Sequence, residues 1–273
     1  MISYPNIDPV AITIGPILGK EFPVYWYGIA YVCAFFAGLH YLKWAFNKYK
    51  VSQNTKKNPI ADDIFIWIVV GIILGGRLGY TLFYNFSYFA ENPMDILKTW
   101  QGGMSYHGGM LGVFIAILLF SWKRNMNFFQ ISDRLAPGVC IGLFFGRIAN
   151  FINGELYGRA TDVPWAMIFP AGGELPRHPS QLYEAGLEGL LLFTILHLTL
   201  SKKYLMCEVS GLFMIGYGMS RIIVEFFRQP DDLDHLKEGI FTVITMGQLL
   251  SIPMVLVGMF LLWYSRRHVA KTA

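Results

Sequence analysis

Charge is scarce in this sequence. Asp, Glu, Lys and Arg make up 15% of the residues, against 54% hydrophobic ones, where about a quarter charged is usual for a soluble domain. With a mean hydropathy of +0.43, this excludes an ordinary soluble domain and indicates a chain that crosses a membrane several times. Cysteine is scarce too. Cys33, Cys140 and Cys207 lie far apart and form no C-x-x-C pair, which argues against a disulfide framework or a zinc site. Metal-ligand spacing, a phosphate-binding glycine loop and a Ser-His-Asp order are all lacking, so neither a metal nor another cofactor is expected. The net charge is only +4 and no Lys/Arg block occurs, so no nucleic-acid partner is expected. Residues 1–23 carry Pro5, Pro9, Pro16 and Pro23 instead of a basic segment followed by a short apolar core. The first apolar run is therefore expected to target the chain.

Apolar stretches of spanning length are abundant. Seven can be drawn, at about 24–44, 61–83, 105–122, 135–152, 182–200, 209–227 and 243–264, several near the short end of what a bilayer needs. The expectation is an all-α polytopic membrane protein, a single integral-membrane domain over residues 1–273 with a small outer cap at about 153–181. Lysine and arginine set its orientation. One side collects Lys43, Lys48, Lys50, Lys56, Lys57, Lys123, Arg124, Arg134, Lys202, Lys203, Arg266, Arg267 and Lys271. The other has Lys20, Lys98, Arg159, Arg177, Arg228 and Lys237 in longer total sequence. The richer side is expected inside, which puts the N-terminus outside and the C-terminus inside.

Three basic residues fit neither side: Arg77, Arg147 and Arg221 lie within apolar runs, each about five or six residues before the outer end of its segment. At about 1.5 Å per residue they share one depth in the outer third of the bilayer. Glu184, Glu188 and Glu225 fall on the same outer side. Such arginines can snorkel to headgroups. Three at one depth beside acids point instead to a site, because an ionisable group in a membrane asks for a partner or a substrate. Guanidinium matches phosphate through paired N–H donors.

Other candidates follow by spacing. Arg147 and Asn150 share a helical face, and Asn153, Glu155 and Gly158 continue into a polar loop. Tyr217, Arg221, Glu225 and Arg228, spaced four, four and three, lie on one helical stripe. That stripe reads either as an ion-pair ladder holding helices together or as an arginine positioned for phosphate. His107 stands among Gly102, Gly103, Gly108 and Gly109; it could be a general base or an interfacial histidine bonded to a loop. Tyr27 begins the first span, where a belt tyrosine is common. The same arginines would also suit a lipid transporter. A nearly charge-free inner two-thirds argues against a polar path to the far side, and a purely structural membrane subunit is the third alternative.

Residues 146–158, GRIANFINGELYG, resemble the signature G-R-x-[GA]-N-F-x-N-x-E-x-x-G of the prolipoprotein diacylglyceryl transferases, bacterial inner-membrane enzymes. WYG at 26–28, GGRLGY at 75–80, HGG at 107–109, RHPSQLYE at 177–184 and RIIVEFFRQP at 221–230 agree with the same family. The resemblance implies seven transmembrane helices, with the cap and the active site on the periplasmic side. It implies transfer of the diacylglyceryl group of phosphatidylglycerol to the lipobox cysteine thiol of a prolipoprotein signal peptide. A thioether forms and glycerol 1-phosphate leaves, the first step of lipoprotein maturation. It implies that Arg147 and Arg221 hold the headgroup and the leaving phosphate, with the surrounding membrane lipids supplying the substrate laterally. His107 is the candidate base, and a thiol acidified by a nearby arginine is the rival. Tyr27, Arg77, Asn150, Glu155, Tyr217 and Glu225 are expected to bind or orient substrate, with Asn153, Gly158 and Arg228 shaping the mouth.

Overall fold

A computed structural model describes residues 2–5, 7–17, 19–49, 60–202, 204–229 and 245–270. Lys50, Lys56, Lys57, Lys203, Lys237, Lys271, Pro230 and the first two residues of the last expected span lie outside them. Among the described residues the chain is mostly helical, with one departure from the all-α expectation. Strands β1 (Val10–Ile17) and β2 (Lys20–Tyr25) form an antiparallel hairpin, with Ile12 opposite Val24 and Ile14 opposite Phe22. The β-branched residues of β1 favour a pleated strand. Pro16 and Pro23 are tolerated because each strand of a two-stranded sheet has an unpaired edge.

Helix α1 (Trp26–Lys48) follows β2 directly. It is followed by α2 (Ile60–Phe83), the short α3 (Phe86–Glu91), α4 (Tyr106–Lys123) and α5 (Phe128–Ile152). Then come α6 (Ser180–Ser201), α7 (Glu208–Glu225) and α8 (Met246–Ala270). Six of these, all but α3 and α7, are long and apolar enough to cross a membrane, and the chain is a polytopic membrane protein. Helix α7 has 18 residues and carries Glu208, Arg221 and Glu225, too much charge to qualify on composition. Helix α5 starts seven residues before the expected 135. Asn127 explains this: its Oδ1 accepts from the N–H of Phe129, while Gln130 Oε1 accepts from the N–H of Asn127, a reciprocal cap. In the expected cap, Met167 forms an isolated β-bridge with Arg177.

The chain divides into two compact units, one of Met1–Tyr41 with Asp133–Ala273, the other of Leu42–Ser132. In the second, α2 and α4 meet backbone to backbone. A Cβ at Gly79 would lie 2.7 Å from the Cα of Gly108, and Gly71 and Gly75 are as close to Gly112 and Gly108. Small residues allow this approach, which gives van der Waals contact where lipid removes the hydrophobic drive.

In the first unit, α5 and α7 are tied by Asp133, which is 1% exposed. Its carboxylate accepts from the N–H groups of Cys207 and Ser210, at 2.9 and 2.8 Å, and from the Ser210 hydroxyl at 2.6 Å. It thus satisfies the first turn of α7 from a distant helix and opposes that helix's dipole. Asp133→Ala leaves these donors buried and unpaired, at about 1–3 kcal/mol each before relaxation. The expected result is a drop of roughly 10 °C in the thermal midpoint in detergent.

Candidate active site

Helices α5, α6 and α7 carry the site. Close approaches at glycine seat them: a Cβ at Gly189 of α6 would lie 2.7 Å from the Phe144 Cβ of α5, and Gly216 of α7 is packed under Leu192 of α6. On this frame Arg147 of α5 and Arg221 of α7 both reach Glu184 of α6. Arg147 Nε is 3.2 Å from Glu184 Oε2, and Arg221 Nη1 donates to Glu184 Oε1 at 2.6 Å. Glu188 adds a second carboxylate to Arg147, 3.6 Å from Nη2, and Glu225 a second to Arg221, at 3.4 Å.

The α6 backbone over Ala185–Leu191 is a π-helix. This wider winding is uncommon and recurs at functional sites. It carries Glu188, and four residues earlier Glu184 makes the bridge. Both glutamate side chains are 0% exposed, while those of Arg147 and Arg221 keep 18% and 17%. Buried carboxylates without cations would cost several kcal/mol, so the arginines are paired on their sealed side and reachable on the other. Glu225 also lies against the first turn of α8, where a Cβ at Gly247 would be 2.8 Å from its Oε2.

The 146–158 stretch divides at Gly154, whose φ is +66°. The N–H of Gly154 donates to Phe151 O and that of Glu155 to Asn150 O, a Schellman ending of α5 in which glycine takes the left-handed position. The turn brings Glu155 back onto the helix. Asn150 Nδ2 donates to Glu155 Oε1 at 2.8 Å, Asn153 Nδ2 more weakly at 3.5 Å, and Gln181 Nε2 of α6 donates to the Glu155 carbonyl at 2.6 Å. Gly158 sits where three backbones converge. Its N–H donates to His178 O, and a Cβ there would lie 2.5 Å from Phe227 O and 2.6 Å from His178 O. Arg228 bridges Gly158 through the backbone, and its carbonyl accepts from Arg159 Nε. His178 Nδ1 pairs with the Tyr183 hydroxyl at 3.1 Å, and burial lowers the pKa of this histidine.

Tyr217 stacks on Phe213 one turn before Arg221, and Tyr27 lies against Tyr31, ring centres 5.1 Å apart. The first unit therefore holds Arg147, Arg221, Glu225 and the Asn150–Glu155 network. His107 and Arg77 belong to the other unit. His107 is exposed in the first turn of α4, after the cap Ser105. Arg77 is 5% exposed and donates to five carbonyls, those of Asp95, Ile96, Lys98, Gly102 and Gly103. A guanidinium has five N–H donors, so this one is committed to folding the 95–103 loop, and its geometry does not support the phosphate contact expected of it. Glu184 and Glu188 are the residues that spacing undervalued. The signal was their place at the outer start of a span, beside the depth of the arginines.

The chain matches the family model described as "Prolipoprotein diacylglyceryl transferase" over residues 9–264. It is 51% identical over 278 residues to the phosphatidylglycerol–prolipoprotein diacylglyceryl transferase of Paramagnetospirillum magneticum, covering 100% of this chain and 98% of the relative. It is 49% identical to that of Azospirillum brasilense, with 98% of each covered, and 47% identical to that of Brucella anthropi, with 100% and 96% covered. A match of this length and identity, carrying both arginines on a carboxylate-lined wall, leaves one conclusion: the chain belongs to the prolipoprotein diacylglyceryl transferase family.

Proposed function

We propose that this protein transfers the diacylglyceryl group of phosphatidylglycerol to the lipobox cysteine of prolipoproteins, in the inner membrane of a bacterium. It does so as one integral-membrane domain of seven spans, α7 among them, with the N-terminus outside, the C-terminus inside and the site towards the periplasm. The observation that carries this reading is the buried cluster in which Glu184 aligns Arg147 and Arg221. A carboxylate that bridges two guanidiniums fixes both, so a phosphate meets donors that need no rearrangement.

In the reaction the cysteine sulfur attacks the glyceryl carbon bonded to the phosphate oxygen. The C–S bond forms, the C–O bond breaks, and its electron pair stays on glycerol 1-phosphate. Negative charge grows on that phosphate, and Arg147 and Arg221 stabilise it. The thiol must lose its proton, since thiolate is the nucleophile and a free thiol has a pKa of about 8.5. His107 is the candidate base, and acidification of the thiol by an arginine is the rival. Asn150, Asn153, Glu155 and Gly158 hold the end of α5 and so the bearing of Arg147. Tyr27, Tyr217, Glu225 and Arg228 orient groups around the lipid. Both substrates arrive laterally from the membrane.

Purified protein with phosphatidylglycerol and a lipobox peptide should yield a thioether product by mass spectrometry together with glycerol phosphate. Absence of both sinks the assignment. Arg147→Lys should fold with a near-normal thermal midpoint and lose at least a hundredfold in turnover, because an ammonium cannot reproduce a bidentate contact. Normal turnover would point to a helix-packing role instead.

A further inference from the structure

Three buried carboxylates face two guanidiniums, and they are held unequally. Glu184 engages both arginines, at 3.2 and 2.6 Å. Glu225 has Arg221 at 3.4 Å and the first turn of α8 close against it. Glu188 has Arg147 Nη2 at 3.6 Å. Neither of its carboxylate oxygens, although buried, has a hydrogen-bond partner among the described residues. A carboxylate sealed from water and held by one long ion pair is the least satisfied member of the cluster. It is also placed on the π-helical stretch rather than on regular helix, beside Arg147, the arginine of the signature.

We propose that Glu188 is an exchangeable partner of Arg147, a positioning residue that competes with the substrate. In the empty site it holds the guanidinium against α6. When the phosphate of phosphatidylglycerol arrives, Arg147 passes from Glu188 to a phosphate oxygen while the Glu184 bridge stays in place. When glycerol phosphate leaves, Glu188 takes the guanidinium back. The contact at 3.6 Å is longer than a charge-assisted hydrogen bond of about 2.7–2.9 Å, as suits a partner that must let go. Glu184 cannot play this part, since releasing it would free both arginines at once. The proposal rests on the reading of Arg147 as a phosphate ligand.

The test is the steady-state kinetics of Glu188→Gln in phosphatidylglycerol, beside Glu184→Gln and Arg147→Lys. Glutamine keeps the shape and removes the competing charge. The expected result is a KM for phosphatidylglycerol three- to tenfold lower, falling more than kcat, so that kcat/KM rises. Inhibition by added glycerol 1-phosphate should tighten by a similar factor. A merely structural glutamate would not improve substrate affinity when removed. A KM that is unchanged or raised, or turnover lost in a folded protein, overturns the proposal. Should Glu188→Gln fail to fold, Glu188→Asp retracts the carboxylate from Arg147 and should also lower KM, a rise counting against the exchange. Full turnover in Arg147→Lys would instead overturn the phosphate reading itself.

Discussion

Glu184→Gln should lose about a thousandfold in transfer rate while still folding. The amide keeps the volume of the side chain but loses the charge that faces Arg147 at 3.2 Å and Arg221 at 2.6 Å. Removing one aligned donor from a developing anion costs a factor of about 100 to 1,000. This change misaligns two guanidiniums, so about 4 kcal/mol of transition-state stabilisation is at stake. Breaking a buried ion pair from one side also destabilises, by about 3–5 kcal/mol where the remaining charge cannot relax. Here Arg147 retains Glu188, Arg221 retains Glu225, and both arginines are partly exposed, so the loss in stability should fall below that range. Product formation and the thermal midpoint measured on the same preparation separate the two effects. Turnover within a few-fold of the unsubstituted protein would remove Glu184 from the account.

Gly158→Ala should impair both folding and transfer, and it acts through the backbone. The added methyl would lie 2.5 Å from Phe227 O and 2.6 Å from both the Cβ and the carbonyl oxygen of His178. Two of these three atoms are main chain, so a side-chain rotation cannot relieve the clash. The segments after α5, before α6 and after α7 must separate, and the bonds from Gly158 N to His178 O and from Arg159 N to Phe227 O are strained with them. Overpacking costs about 1–3 kcal/mol or more where the surroundings resist. The expected outcome is a thermal midpoint lower by roughly 5–10 °C and transfer reduced at least tenfold even at temperatures where the protein is folded. Gly142→Ala is the control. Its Cβ would meet nothing within 4 Å, and in a helix interior alanine is worth about 0.5–1 kcal/mol over glycine, so the midpoint should hold or rise.

The helices were legible in the sequence because the membrane imposes length and hydropathy on each one separately. Arg147 and Arg221 were legible for the converse reason: a charge inside an apolar run is conspicuous. Arg77 gave the same signal and has a different fate, since five carbonyls of the 95–103 loop hold it. Nothing in its flanking residues says that a loop will fold over it. The Glu184 bridge spans 37 residues to each arginine, and its partners are set by helix packing at Gly189 and Gly216 rather than by local spacing. The stripe along α7 was read from spacing as a ladder or a phosphate site: Arg221 pairs with Glu225, and Arg228, past the helix end, bridges to Gly158 through its backbone. The hairpin before α1 was hidden by prolines, which signal breaks in central strands but not at free edges. The turn at Gly154 could have been read, since glycine just past a helical apolar run followed by a polar residue is a common helix ending.

The central claim is that Arg147 and Arg221 together receive the phosphate of phosphatidylglycerol. An experimental structure of the protein with that lipid bound tests it most directly. The headgroup phosphate should lie within ion-pair distance of both guanidiniums, with the Glu184 bridge intact behind them. Lipid bound at another cleft, with both arginines still closed on their carboxylates, would contradict it.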